Sequence, residues 1–102
     1  MFIILASKPG QYRTDVAAGM EVIERYDYLF VKKLKAHYVI VESGIDCKVR
    51  VVEENDGGVV NLIPAKFLPH FPTLDAARRE LRKLASFGTL ETELVNTFTA
   101  QD

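Results

Sequence analysis

The sequence Cys47-Lys-Val-Arg-Val-Val-Glu-Glu-Asn-Asp-Gly-Gly-Val-Val-Asn-Leu-Ile63 decides the expected fold of this chain. Two runs rich in β-branched residues flank Asn55-Asp56-Gly57-Gly58, and an Asp-Gly pair tolerates the positive φ angles of a tight hairpin turn. We therefore predict an antiparallel hairpin of strands 47–54 and 59–63. In this register Val51 faces Leu62 and Glu53 faces Val60.

The chain before this hairpin continues the same pattern. Residues 35–42 are typical of another strand, and Ser43-Gly44-Ile45-Asp46 is typical of a four-residue hairpin loop. Tyr38 then faces Val51, and Ile40 faces Val49. One face of the meander collects apolar residues. The other mixes basic and aliphatic side chains, which are Lys35, His37, Val39, Val41, Lys48, Arg50, Val52, Asn61 and Ile63.

Further strands are expected on both sides of the meander. The apolar run Phe2–Ala6 has strand length and is typical of a strand buried on both faces. Residues 21–31 are rich in aromatic and β-branched types and are predicted to be extended. Residues 11–19 lack periodicity and are interpreted as a loop, with one helical turn as the alternative. Residues 90–98 are left open between a strand and a helical extension.

One helix is predicted over 74–87. Thr73 provides the N-cap, Asp75 lies in the first turn, and Gly88 follows the last turn as a C-cap signal. An apolar stripe at helical spacing would cover the sheet, formed by Leu74, Ala77, Leu81, Leu84 and Ala85. The prediction is a single α+β domain over residues 1–102, a two-layer sandwich in which an antiparallel meander sheet of about five strands packs one amphipathic helix.

Composition excludes several function classes. The chain has 13 basic and 14 acidic residues, for a net charge of −1, whereas proteins that neutralise phosphates usually carry a basic surplus. Cys47, the one cysteine, forms no internal disulfide. The N-terminus lacks the basic segment of a signal peptide, and no apolar run approaches the length of a membrane span. We expect a cytoplasmic protein without membrane contact.

The residues that usually hold metals are few. One cysteine and the two distant histidines His37 and His70 do not supply a tetrahedral zinc site, and they exclude a four-cysteine iron–sulphur cluster. Cys47 is expected to lie among apolar residues as a small buried side chain. We therefore expect no metal and no cofactor, and we identify no catalytic residue.

The basic loop after the first strand could bind an anion. Lys8 and Arg13 flank Gly10, whose neighbouring backbone N–H groups could cradle a phosphate. The loop lacks the glycine spacing of phosphate and dinucleotide motifs, and a plain strand-ending turn is the alternative. A small enzyme or anion-binding domain built here, with His70 or Asp15 as acid/base, is one functional hypothesis.

The leading hypothesis is a non-catalytic accessory protein. The mixed face is too apolar for a solvated sheet face, so we expect it to bind an acidic protein partner or a second copy. The predicted partner-binding residues are Lys35, His37, Val39, Lys48, Arg50 and Val52. The alternative is single-stranded nucleic-acid binding, in which the basic residues contact phosphates and Tyr12 or Tyr38 stacks on bases.

Two segments resemble a known group. The runs FIILASKPGQYRT at 2–14 and VVNLIPAKFLP at 59–69 are similar to small bacterial proteins of unknown role, some of them loosely labelled "ferredoxin". The likeness spans most of the chain. This sequence departs from the label because it lacks the cluster-ligating cysteines. The resemblance implies an accessory role near redox enzymes.

Overall fold

A computed structural model describes residues 1–55, 57–85 and 91–100. The described residues form a mostly antiparallel α+β structure with one α-helix, as predicted. Its strands are β1 (Phe2–Ser7), β2 (Tyr12–Asp15), β3 (Glu21–Phe30), β4 (Lys33–Glu42), β5 (Lys48–Glu53), β6 (Val60–Pro64), β7 (His70–Phe71) and β8 (Thr92–Thr99). The helix α1 spans Leu74–Ala85, and a 3-10 turn spans Ala65–Phe67.

The strands form two sheets instead of one. The main sheet has the order β7-β1-β4-β3-β8, and the small sheet has the order β2-β5-β6. The apolar run at the N-terminus forms β1, which lies inside the main sheet between β7 and β4, as its two-sided apolar character indicates. Within residues 11–19, which we interpreted as a loop, the structure has the strand β2. Residues 92–99 form the edge strand β8.

The predicted hairpin between β4 and β5 is wrong. β4 pairs with β1, where Ile40 lies opposite Ile4, and with β3, where Ile40 lies opposite Glu24. The segment 43–46 therefore connects the two sheets. The physical reason is burial, because Val39, Ile40 and Val41 are all buried, and β4 needs apolar cover on both faces. One face is covered by α1, and the other is covered by Val49 of β5, which could not lie over β4 if β5 paired beside it in the same sheet.

The second predicted hairpin exists, but its register is shifted by one residue. Val51 lies opposite Asn61 and Val52 opposite Val60, and the Glu53 N–H donates to the Val59 carbonyl at 2.9 Å. The predicted register placed Gly58 opposite Asn55 at the end of the turn, whereas Gly58 adopts a left-handed φ of 73° and the observed register places it opposite Glu54, so the loop gains a residue. Asp56, on which the predicted Asp-Gly turn depends, lies outside the described residues.

The one-residue shift reverses the faces of β6. Val60 and Leu62 were predicted to face the core, but they are 44% and 63% exposed. Ile63 instead lies opposite the fully buried Val49. A slip of one residue exchanges the two faces of a strand because side chains alternate with period two.

Two apolar cores cover the two faces of the main sheet. On one face Ile40 packs against Ala77 and Leu81 of α1. On the other face Ile3, Leu5, Val39 and Val41 pack with Val49 of the small sheet and Ala65 of the 3-10 turn, and this list of six is the core between the sheets. The prediction had the helix packing on one sheet. The structure has the helix on one face of the main sheet and the small sheet on the other.

The helix begins as predicted. The Thr73 hydroxyl accepts a hydrogen bond from the Ala76 N–H at 3.1 Å, which confirms the N-cap. Ala77, Leu81 and Ala85 are buried, but Leu84 is 43% exposed and does not belong to the stripe. Gly88 lies outside the described residues. No helix in the described ranges is long and apolar enough to cross a membrane.

Candidate functional site

An open cleft of about 1070 Å³ lies where the small sheet leaves part of the main sheet uncovered. The strands β3 and β4 have ten residues each, whereas β2 has four, so one end of the main-sheet face extends past the small sheet. We name this space the inter-sheet cleft. Its polar lining includes Ser7, Arg13, Asp15, Arg25, Asp27, His37, Arg50, Glu54 and Thr97.

A row of three polar residues crosses the main sheet in the cleft. Asp27 lies opposite His37 in the β3–β4 pair, and His37 lies opposite Ser7 in the β4–β1 pair. His37 Nδ1 is 2.7 Å from Asp27 Oδ1, so the carboxylate fixes the imidazole orientation and favours a proton on Nδ1. The Ser7 hydroxyl accepts a hydrogen bond from the Thr14 N–H at 2.9 Å, which joins this row to β2.

Two arginines enter the lining from different sheets. Arg25 lies on β3 opposite Val39, and Arg50 lies on β5 opposite Asp15. Within the described part of the chain neither guanidinium forms an ion pair. Arg13, by contrast, donates from Nε to Asp15 at 2.7 Å, and this hydrogen bond raises the pKa of Arg13. Asp15, which lies opposite Arg50, therefore already accepts a hydrogen bond from Arg13.

The predicted partner-binding face is divided between the sheets. His37, Val39 and Arg50 meet in the cleft lining, whereas Lys35, Lys48 and Val52 do not belong to it. Val39 is only 9% exposed and packs in the core between the sheets, so it does not provide the contact area that we expected from it. The predicted face assumed the β4–β5 hairpin that the structure lacks.

The predicted anion loop is a closed turn. The N–H groups of Gln11 and Tyr12 both donate to the Lys8 carbonyl, at 2.9 and 3.0 Å, and the Lys8 N–H donates to Tyr12 O at 2.9 Å. Gly10 has a left-handed φ of 81°, which fits this turn. These N–H groups are occupied within the chain, and of Lys8, Gly10 and Arg13 only the arginine lines the cleft. Anion binding by this loop stays a prediction.

The remaining candidates lie away from the cleft. His70 Nδ1 is 3.0 Å from the Leu68 carbonyl in an exposed segment. Cys47 is half-buried and packs beside the core between the sheets. Across residues 1–55, 57–85 and 91–100, no three side chains of His, Cys, Asp or Glu come together as metal ligands.

Tyr38, one of the two tyrosines expected to stack on bases, packs within the protein. The ring centroids of Tyr38 and Tyr28 are 6.2 Å apart in an edge-to-face arrangement. Both rings belong to the core beneath α1, and burial raises the pKa of Tyr38.

Sequence reasoning missed a buried ion pair on the helix side. Glu24 is 5% exposed and accepts hydrogen bonds from Arg78 Nε at 2.7 Å and from the Thr99 hydroxyl at 3.2 Å. Arg78 is half-buried against Glu24. A glutamate inside an aliphatic strand gives a weak signal, because a half-exposed strand also carries glutamates.

Comparisons with protein-family models, curated proteins and solved structures gave no match for this chain. The functional argument therefore starts from the inter-sheet cleft itself. Its geometry offers two guanidinium groups without an ion pair to any described residue, an oriented imidazole and a serine hydroxyl, which together suit an anionic ligand with several hydrogen-bond acceptors.

Proposed function

We propose that this chain is a non-catalytic accessory protein that binds an acidic segment of a protein partner in the inter-sheet cleft. The observation that carries the proposal is the position of Arg25 and Arg50, which line one cleft from two sheets without an ion pair in the described residues. A guanidinium group binds a carboxylate with two parallel hydrogen bonds.

The cleft suits a peptide better than a small metabolite. It is open and about 1070 Å³ in volume, just above the usual range of about 300–1,000 Å³ for small-molecule pockets. Its lining also carries apolar surface from Pro9, Val16 and Ala17 beside the charged groups. An extended segment could place carboxylates on the arginines and its backbone or apolar side chains along this surface.

The charge pattern favours a peptide over single-stranded nucleic acid. Asp15, Asp27 and Glu54 line the same cleft as the arginines, and they would repel a continuous phosphate backbone. The ring of Tyr38 packs against Tyr28 beneath the helix instead of standing free for a base. A peptide with separated carboxylates can avoid the acidic groups.

The test measures binding of a fluorescein-labelled peptide with separated glutamates by anisotropy at low ionic strength. The variant Arg25→Gln/Arg50→Gln should bind it about tenfold or more weakly, because each lost charge-assisted hydrogen bond contributes about 1.5–3 kcal/mol. Arg79→Gln is the matched control, since Arg79 is exposed on α1, which covers the opposite face of the main sheet. The control should bind like the wild type.

Two further probes separate the hypotheses. A lysine-rich peptide of equal length should not bind, and an unlabelled oligothymidylate should compete poorly. Equal affinity of the double variant and the wild type would remove the cleft proposal. Tighter binding of oligothymidylate than of the acidic peptide would replace it with nucleic-acid binding.

A further inference from the structure

The described strands have four sheet edges, and three of them carry features that discourage pairing with another chain. β7 has two residues, β2 has four and includes the charged Arg13 and Asp15, and β8 carries Glu93 and an irregular register near Arg25. The strand β6 differs from them. No charged residue occurs between Gly57 and Ala65, and the segment Val59–Ile63 combines high β propensity with exposed apolar side chains.

The register shows which backbone groups β6 leaves free. Glu53 N–H donates to Val59 O, and Ala65 N–H donates to Cys47 O at 2.7 Å. In an antiparallel pair such residues alternate with residues whose N–H and C=O point away from the partner strand. Val60 and Leu62 therefore direct their backbone groups outward, and β6 pairs with β5 alone among the described strands. Pro64 has no N–H and ends the row of donors.

We propose that this edge pairs with the β6 edge of a second copy of the chain, so that two small sheets join into one continuous antiparallel sheet. A two-fold axis at Asn61 places Val60 opposite Leu62 of the second copy and Leu62 opposite its Val60. Each of these residues then exchanges both its N–H and its C=O, so every outward backbone group of the two is satisfied.

The side chains fit a second copy better than an acidic or basic partner. The paired segments are uncharged, so the two-fold axis brings no like charges together. Val60 and Leu62, 44% and 63% exposed, would become cross-strand neighbours between copies. Val52 of β5 lies opposite Val60 and extends the same apolar patch, while Arg50 lies opposite Leu62 and Lys48 opposite Pro64. Arg50 also lines the inter-sheet cleft, whereas the pairing residues Val60, Asn61 and Leu62 do not.

Site-directed crosslinking tests the register. The proposed pairing makes Asn61 and its symmetry mate a non-hydrogen-bonded pair with Cα atoms about 4.5 Å apart, within the range that a disulfide spans. In a Cys47→Ser background, Asn61→Cys should form a covalent dimer under mild oxidation. Leu62→Cys is the matched control. In the proposed register Leu62 and its symmetry mate are offset by two residues along the strands, which places them about 8–9 Å apart and beyond disulfide reach.

Light scattering with size exclusion tests the association itself. The wild type should form a dimer that dissociates on dilution. Leu62→Lys should raise the dissociation constant about tenfold or more, whereas Val95→Lys, an exposed valine on the β8 edge, should not change it. Val60→Pro is the second variant, because it removes an outward N–H and leaves the bonds to β5 in place.

Three outcomes would overturn the proposal. The first is a wild type that stays monomeric at every concentration, and the second is a dimer that neither Leu62→Lys nor Val60→Pro weakens. The third is equal crosslinking of the Asn61→Cys and Leu62→Cys variants. None of these outcomes affects the cleft, because peptide binding is measured separately with arginine variants.

Discussion

The buried carboxylate of Glu24 shows how a single residue links the helix to the sheet. Its side chain is 6% exposed and its hydrogen bond to Arg78 Nε is 2.7 Å long. Burial raises the pKa of Glu24, but hydrogen bonds from Arg78, Tyr26 and Thr99, with the guanidinium charge, outweigh burial and hold the pKa below its usual value. The folded state therefore favours the charged carboxylate.

Replacing Glu24 by glutamine should lower the free energy of unfolding by about 1.5–3 kcal/mol at neutral pH, because hydrogen bonds to a charged group are lost. Chemical denaturation measures this change. Asp75→Asn is the matched control, since Asp75 is 85% exposed and lies 3.6 Å from the same arginine. That change should cost less than about 0.5 kcal/mol. Equal costs for both variants would contradict the structural role of Glu24.

The stability difference between the wild type and Glu24→Gln should also depend on pH. A carboxyl with a lowered folded pKa stabilises the protein above its unfolded value of about 4.3, and this stabilisation is lost as the pH falls through the folded value. The stability difference between wild type and Glu24→Gln should be constant down to about pH 4.3 and shrink below it. A difference that grows on acidification would contradict the lowered pKa.

At the scale of elements, the β3–β4 hairpin contains backbone that its residues rarely adopt. Val31 and Lys32 connect the strands with left-handed φ angles of 48° and 61°. A left-handed conformation costs a residue with a side chain roughly 1–2 kcal/mol, and a β-branched residue is an outlier there. A hydrogen bond from the Val31 N–H to the Glu91 carbonyl at 2.9 Å helps to hold the turn.

Val31→Asn should therefore raise the free energy of unfolding by about 1 kcal/mol, because asparagine tolerates the left-handed region. Val95→Asn is the control, since Val95 is 41% exposed in the strand β8 and lacks a positive φ. Asparagine is disfavoured in strands, so this control should lose stability. Thermal and denaturant unfolding of the two variants should give shifts of opposite sign.

The elements whose signals are local could be predicted from the sequence. Thr73 and the apolar spacing gave the start and the buried side of α1, and the apolar run after Met1 gave β1. The β3–β4 turn was missed because Val31 and Lys32 are not turn formers. The register of β6 was missed because one left-handed glycine, Gly58, lengthened the loop.

At the scale of the whole molecule, the pairing partners of the strands could not be predicted from the sequence. The pairing of β4 with β1 joins residues more than thirty positions apart, such as Leu5 and Val39, and no local pattern encodes that choice. The candidate site could not be predicted for the same reason. Arg25 was never considered as a site residue, and it reaches the cleft of Arg50 only because β2 and β5 fold over the main sheet.

The main sheet lies between two cores, so its strands should make the molecule unfold as one unit. Ile3 and Leu5 face the small sheet, whereas Ile4 on the same strand faces the helix, and Val39 and Ile40 divide in the same way. A substitution that destabilises one core should therefore also destabilise the other, because β1 and β4 contribute residues to both. This coupling is testable at Val49, which is fully buried on the small sheet.

Val49→Ala should lower the free energy of unfolding by about 2 kcal/mol through lost apolar burial and the cavity left behind. Ile45→Ala is the control, because Ile45 is 60% exposed in the segment that connects the two sheets. Its free energy of unfolding should stay within about 0.5 kcal/mol of the wild-type value. In native-state hydrogen exchange, the slowest amides of α1 should lose as much protection in Val49→Ala as those of β5, because both then exchange through global unfolding. Faster exchange in β5 and β6 with α1 unchanged would mean that the small sheet opens by itself, and the shared strands would then not couple the two cores.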